Sequence, residues 1–215
     1  MKTIPHLRGL LTVTAIAGFI TGCASDNYHK SADTGAALTS ASRMIAKDSD
    51  LIDESLRDLD DLVTNPNPDL RKQFRKFNRA VNELGDSASD VASKAGEMKS
   101  KGGDYFAGWD KESAQIQNED IRNRSETRRN EVAAHFERIS RQYDETGTVF
   151  RPFMSDLRDV QKFLSTDLTA GGLAAIKDTA AKASNDAVPV KDSLGRLSDE
   201  FKSLGLSMSP TTASR

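Results

Sequence analysis

The sequence predicts an all-α protein, an elongated antiparallel four-helix bundle or coiled-coil hairpin that follows an N-terminal lipoprotein signal peptide. Three observations carry this. Apolar residues recur at seven-residue spacing in four separate segments, and clusters of proline, asparagine and glycine divide those segments. A composition of 37% hydrophobic and 29% charged residues over 215 positions suits a thin core shared among long elements. The clearest repeat spans 132–164, with Phe136, Tyr143, Phe150, Leu157 and Leu164 in one row and Val132, Ile139, Thr146, Phe153 and Val160 in a second. Such a repeat winds an apolar seam along a helix, and only other helices hide it well from water.

The chain opens with Lys2 and Arg8, followed by an uncharged, largely apolar run at 9–20. A basic start and an apolar run too short to span a bilayer comfortably make residues 1–22 a secretory leader. Ile20-Thr21-Gly22-Cys23 then resembles the bacterial lipobox, in which the thiol receives diacylglycerol and the bond between Gly22 and Cys23 is cut. Cys23 is the only cysteine, so it forms no internal disulfide. It is read as the lipidation site, against the alternative of a free thiol beside an uncleaved anchor. Two or more acyl chains hold a protein stably at a bilayer where one does not. Ala24, rather than Asp, follows the cysteine, which points to the outer membrane and the periplasm.

Residues 23–31 read as a lipidated tether and 32–204 as the bundle. The first helix, about 32–64, carries Leu38, Ile45, Ile52 and Leu59, with Asp48 and Ser55 interrupting the stripe. Asn65-Pro66-Asn67-Pro68-Asp69 ends it, and Asn67 is placed to cap a second helix with Pro68 at its first position. That helix, about 68–117, repeats through Leu70, Phe74, Phe77, Val81, Leu84, Ala88, Val91, Ala95 and Met98 to Tyr105 and Trp109, with Gly102-Gly103 as a soft point. A turn near Asn118 leads to the third helix, about 121–167, where Gly147 and Pro152 predict a kink. After Thr169-Ala170-Gly171-Gly172 comes the fourth, about 172–204, which Pro189 is expected to bend or divide. Residues 205–215 read as a disordered tail. Short connections imply up-down-up-down topology. Because the two central helices are longest, their hairpin is expected to overhang the outer helices over 103–132, at the lipid-anchored end.

Phe106-x-x-Trp109-x-x-Glu112, Asn118-x-x-Ile121-Arg122-x-x-Ser125, Arg151-Pro152-Phe153-Met154-x-x-Leu157-Arg158-Asp159, Phe163-Leu164, Leu168 and Ala175-Ile176 together resemble the bacterial lipoproteins classed as domain of unknown function 2959. The resemblance covers most of the mature chain and is strongest over 106–176. It implies a long, coiled-coil-rich envelope lipoprotein of no established activity. Gly102-Gly103 and Pro189 depart from the unbroken helix that it implies.

The net charge is −2, and beyond the leader 28 basic residues stand against 32 acidic ones, which exerts no pull toward nucleic acid. His29 and His135 are far apart, and no catalytic triad, phosphate loop or cysteine nucleophile is present. The chain is therefore expected to be non-enzymatic, with no metal, cofactor or small-molecule substrate. Asp53, Glu54, Asp58, Asp60 and Asp61 read as a solvated acidic face. The candidate interaction tip comprises Arg122, Arg124, Arg128, Arg129 and Phe106. Arginine binds phosphate and carboxylate bidentately, although Glu119, Asp120, Glu126 and Glu131 offer local pairs that favour a salt-bridged surface. Tyr105 and Trp109 hold core register, whereas Phe106 lies off it and is the candidate for an outside contact. The expected function is a membrane-anchored helical scaffold or protein-interaction module. Its partner would be another envelope protein, peptidoglycan or a second copy. The alternative is a module that binds or shapes membrane lipid through the tip.

Overall fold

The computed structural model describes residues 23–208, with side chains from Thr34 onward. The leader, the bond at Gly22 and the tail from Ser209 lie outside the described residues, as do the side chains of Cys23 and His29. Among the described residues are five helices and no strand: α1 (Cys23–Thr64), α2 (Arg71–Ser113), α3 (Glu119–Thr166), α4 (Ala170–Ala175) and α5 (Lys177–Met208). The architecture is the expected all-α bundle. Helices α1 and α3 lie diagonally, each touching both α2 and α5. At about 1.5 Å per residue, α3 alone runs on the order of 70 Å.

The heptad rows become the core. Leu38, Ile45, Ile52 and Leu59 of α1 are sealed against Phe77, Val81 and Leu84 of α2, Phe153, Leu157, Val160 and Leu164 of α3, and Ala183, Val190, Leu197, Phe201 and Leu204 of α5. Full burial of each large side chain contributes about 1.5–3 kcal/mol relative to exposure. The two rows of α3 fare differently. Val132, Ile139, Thr146, Phe153 and Val160 are all buried, but in the other row Phe136, Tyr143 and Phe150 stay half-exposed before Leu157 and Leu164 are covered. The bundle is therefore tight at the end that holds the 65–70 and 167–169 turns and looser along the outer half of the α2–α3 hairpin.

Several boundaries differ from expectation for identifiable reasons. Helix α1 begins at Cys23 and takes in the backbone of the expected 23–31 tether, which contains neither proline nor glycine to stop it. Helix α2 begins at Arg71 rather than Pro68, because Asp69 Oδ1 accepts from Arg71 N at 3.1 Å and the preceding turn is held by Gln73. That buried amide donates to Asp61 O, Asp61 Oδ2 and Asn65 O at 3.2, 2.8 and 2.9 Å, while its oxygen accepts from Asn67 N at 2.9 Å. Helix α2 ends at Ser113, and α3 starts at Glu119 with Asn118 accepting from Ile121 N at 3.1 Å.

The fourth expected helix is divided at Ile176, not at Pro189. Thr169 caps α4 by accepting from Gly172 N at 3.1 Å, and α5 then continues through Pro189. The proline is exposed while Ala187 and Val190 on either side are buried, so packing holds the helix across the lost hydrogen bond. Gly102-Gly103 and Pro152 likewise lie inside unbroken α2 and α3. Helix α5 reaches Met208 rather than fraying at 205, since Gly205 and Met208 are buried. Its end meets α3, where Arg128 donates to Ser207 O at 3.2 Å, and Val132 is buried. The hairpin overhang is therefore shorter than the expected 103–132.

Polar ties set helix register. Lys191 pairs with Asp53 at 2.7 Å between α5 and α1, and Lys182 with Asp156 at 2.5 Å between α5 and α3. Ser42 and Ser198 share a 3.0 Å hydrogen bond, and the buried pair Thr146 and Ser193 a 2.8 Å one. Asp48, which breaks the α1 stripe, is only 2% exposed and accepts a hydrogen bond from Ser87 of α2. Burial pushes its carboxyl above the usual carboxylate range, against the opposing pull of Ser87 and Lys47.

Two outcomes follow. A Cβ on Gly205 would sit 3.0 Å from Gly35 O and 3.2 Å from Thr39 N, both backbone atoms of α1. Gly205→Ala should therefore cost about 1–3 kcal/mol by forcing α5 off α1, read as a lowered melting temperature. Because the folded chain favours the protonated Asp48, its contribution is present at low pH and is lost as pH rises through the raised value. Asp48→Asn keeps an acceptor for Ser87 and should raise the neutral-pH melting temperature by about 2–4 °C. The gain should vanish below the ordinary carboxylate range.

Candidate functional site: the outer half of the α2–α3 hairpin

Beyond Leu84 the stripe of α2 loses its cover. Val91, Ala95, Met98, Tyr105 and Trp109 keep their register but are half-exposed, and of that row only Gly102 is buried. The close approach at Gly102 explains that exception. A Cβ there would meet the Phe136 ring at 2.8 Å, so the glycine lets an aromatic from α3 pack close against the α2 backbone. The soft point that the sequence marks is therefore a packing site.

Past Gly102 the hairpin is braced by aromatic and polar contacts. Phe106 meets the rings of Tyr105 and Phe136 edge-on, with centroids 5.5 and 5.3 Å away, and the Arg129 guanidinium lies 5.1 Å from its own centroid. Phe106 is therefore stacked within the hairpin while staying half-exposed on the open groove described below. The face that α2 turns to α3 thus extends beyond the strict core register to include it. Trp109 donates to Ser125 Oγ at 2.8 Å, and Ser125 shares a 2.6 Å hydrogen bond with Ser113. Ser113 and Ser125 were invisible as a latch in the sequence, because nothing in the spacing of two serines signals that they meet across a turn.

The four tip arginines divide. Arg129 grips Asp110 bidentately at 2.9 and 3.0 Å. Arg128 binds Glu131 at 3.1 Å as well as Ser207 O, and Arg122 donates to Ile116 O at 3.3 Å. Each of these three has at least one partner within the fold. Arg124 is exposed at the tip, next to the exposed Ile121 and the capping Asn118. Of the local acids, Glu131 pairs as expected, but Arg129 chooses Asp110 across the hairpin.

Within the expected acidic face, Asp53 pairs with Lys191 and Asp61 binds Gln73, while burial raises the Asp58 carboxyl above its usual range. His135 is half-buried on α3, and its Nδ1 is buried with no hydrogen-bond partner among the described residues. Among the described residues no three histidines, cysteines or acids converge as metal ligands, and no helix is long and apolar enough to cross a membrane.

What the outer half does offer is an open groove between α2 and α3, about 520 Å³ in volume. Ala92, Ala95, Gly96, Met98 and Gly102 form one wall and Phe136, Ile139 and Tyr143 the other, with Phe201 of α5 at the floor. It continues past Tyr143 and Asp144 to Ala88, Phe150 and Arg151, then to Gly85 and Arg158. Burial, followed by the nearby Asp144, pushes the Tyr143 hydroxyl above its ordinary value, and Arg151 opposes that rise.

Residues 36–196 match the family described as protein of unknown function DUF2959. The chain belongs to this family. The residues of the DUF2959 resemblance supply much of the brace: Phe106, Trp109, Asn118, Arg122 and Ser125 hold the tip, while Phe153, Leu157 and Leu164 are core. No match is found among curated proteins or solved structures.

Arg129→Ala removes the Asp110 clamp and the stacking on Phe106, a loss of about 1 kcal/mol. It should speed amide exchange over 105–130 while shifting the global melting temperature little.

Proposed function

We propose that this chain is a non-enzymatic, lipid-anchored scaffold of the bacterial envelope, held by acylated Cys23 and facing the periplasm from the outer membrane. The observation that carries the reading is the order of parts: a leader and Ile20-Thr21-Gly22-Cys23 directly precede a long helical body. The body supports a scaffold rather than a lipid-binding tip, because Arg122, Arg128 and Arg129 already have partners within the fold and Phe106 is stacked. Arg129, whose guanidinium is held bidentately by Asp110, is a weak receptor for lipid phosphate. The partner is another helical surface, which the outer half of the hairpin is shaped to receive.

The test separates address from tip. Wild-type protein should float with vesicles and take up a labelled fatty acid, whereas Cys23→Ser should take up none and stay in solution even with anionic vesicles. Unchanged acylation and partitioning of Cys23→Ser would overturn the address. Flotation of the unacylated variant, abolished by Arg124→Glu, would favour the lipid-binding tip instead.

A further inference from the structure

We propose that the open α2–α3 groove is the interface of an antiparallel homodimer. Glu137, Asp144, Arg151 and Arg158 stand seven residues apart on the exposed α3 side of the groove, all lining it. Their signs run minus, minus, plus, plus. Among the described residues none of the four makes an ion pair, although other surface charges of α3 do. Heptad-spaced charges beside an apolar seam select partner and orientation in paired helices. An antiparallel copy, related by a two-fold axis passing level with Gly147 and Thr148, sets Asp144 against the partner's Arg151 and Glu137 against the partner's Arg158. All four are satisfied at once, which is the self-complementarity that an isologous interface requires.

Helix α2 obeys the same symmetry. The contacts Gly102 to Phe136 and Asn78 to Gln161 place Val91 about level with that axis. Gly85 and Ser89 lie on one side of it and Ala92 and Gly96 on the other. These small residues are half-exposed at Gly85 and exposed at the other three positions, and a Cβ on Gly96 would meet nothing within 4 Å. Helix α2 itself thus carries little bulk on this face, although the Arg158 guanidinium lies over Gly85, 2.9 Å from where a Cβ would be. The face from 137 to 158 is about 30 Å long and about 20 Å wide across two helices, on the scale of a standard protein interface. Docking would also cover Tyr143, Phe150 and Val91, the core-register residues that the monomer leaves half-exposed. The dimer gives the proposed scaffold its partner. It rests on that reading only for its place in the cell.

The experiment is sedimentation of the full chain, purified in mild detergent, as wild type, Asp144→Arg, Arg151→Asp and an equimolar mixture of the two variants. Wild type should be a dimer. Each variant alone opposes like charges and should dimerise about tenfold or more weakly with unchanged helicity. The mixture restores both pairs and should form a heterodimer. A monomeric wild type, variants that dimerise as wild type does, or a mixture that stays monomeric would each overturn the interface. Cys23→Ser should leave all four results unchanged, so loss of the lipid address and loss of the dimer are read separately.

Discussion

Everything in this fold depends on hiding heptad-spaced apolar stripes from water along helices too thin to hide them alone. Helices α1 and α3 each need two neighbours, and α2 and α5 supply them from opposite sides. Where all four run together, around Ile52, Leu59, Phe77, Leu84, Phe153, Leu157 and Leu197, side chains are sealed to within a few per cent of full burial. Where α2 runs on past Leu84, the same sequence pattern is only half covered, and the seam between α2 and α3 opens. The apolar repeat is thus continuous while its burial is not, and the difference between the two locates the surface on which the molecule has something left to bind.

Polar groups inside the bundle serve register rather than chemistry. Asp48 and Thr146 interrupt stripes that would otherwise be free to slide, and their hydrogen bonds to Ser87 and Ser193 penalise slippage, because a displaced buried polar group loses its partner. Gln73 does the same for the first turn, where one buried side chain answers three oxygens and one backbone N–H. At the hairpin tip, Trp109, Ser125, Asp110 and Arg129 tie α2 to α3 with directional contacts.

The stripes of Leu38 to Leu59 and Phe77 to Leu84 were legible in the sequence because periodicity reports burial directly. The tip was not. Its arginines were visible as a cluster, but a cluster does not say which acid each will choose, and Arg129 takes Asp110 from the other helix. Phe106 lay off the core register, and register alone does not show that α2 there presents a wider face to α3. Glycine and proline misled in the opposite sense. Gly102 and Pro189 read as weaknesses, yet one admits the Phe136 ring and the other is carried by buried neighbours. The charges of the α3 groove wall were present in the sequence, but only the exposed, unpaired placement of Asp144 and Arg151 gives their sequence of signs a meaning.

The most direct measurement of this account is residue-resolved hydrogen exchange on the intact chain under native conditions. Exchange near the global unfolding limit is expected over 45–62, 77–84, 153–164 and 183–204, with markedly faster opening over 92–113 of α2 despite its unbroken repeat. Uniform protection along all of α2, or early opening of α5 across Pro189, would contradict the proposition that shared burial, rather than the heptad pattern itself, determines where this bundle is closed.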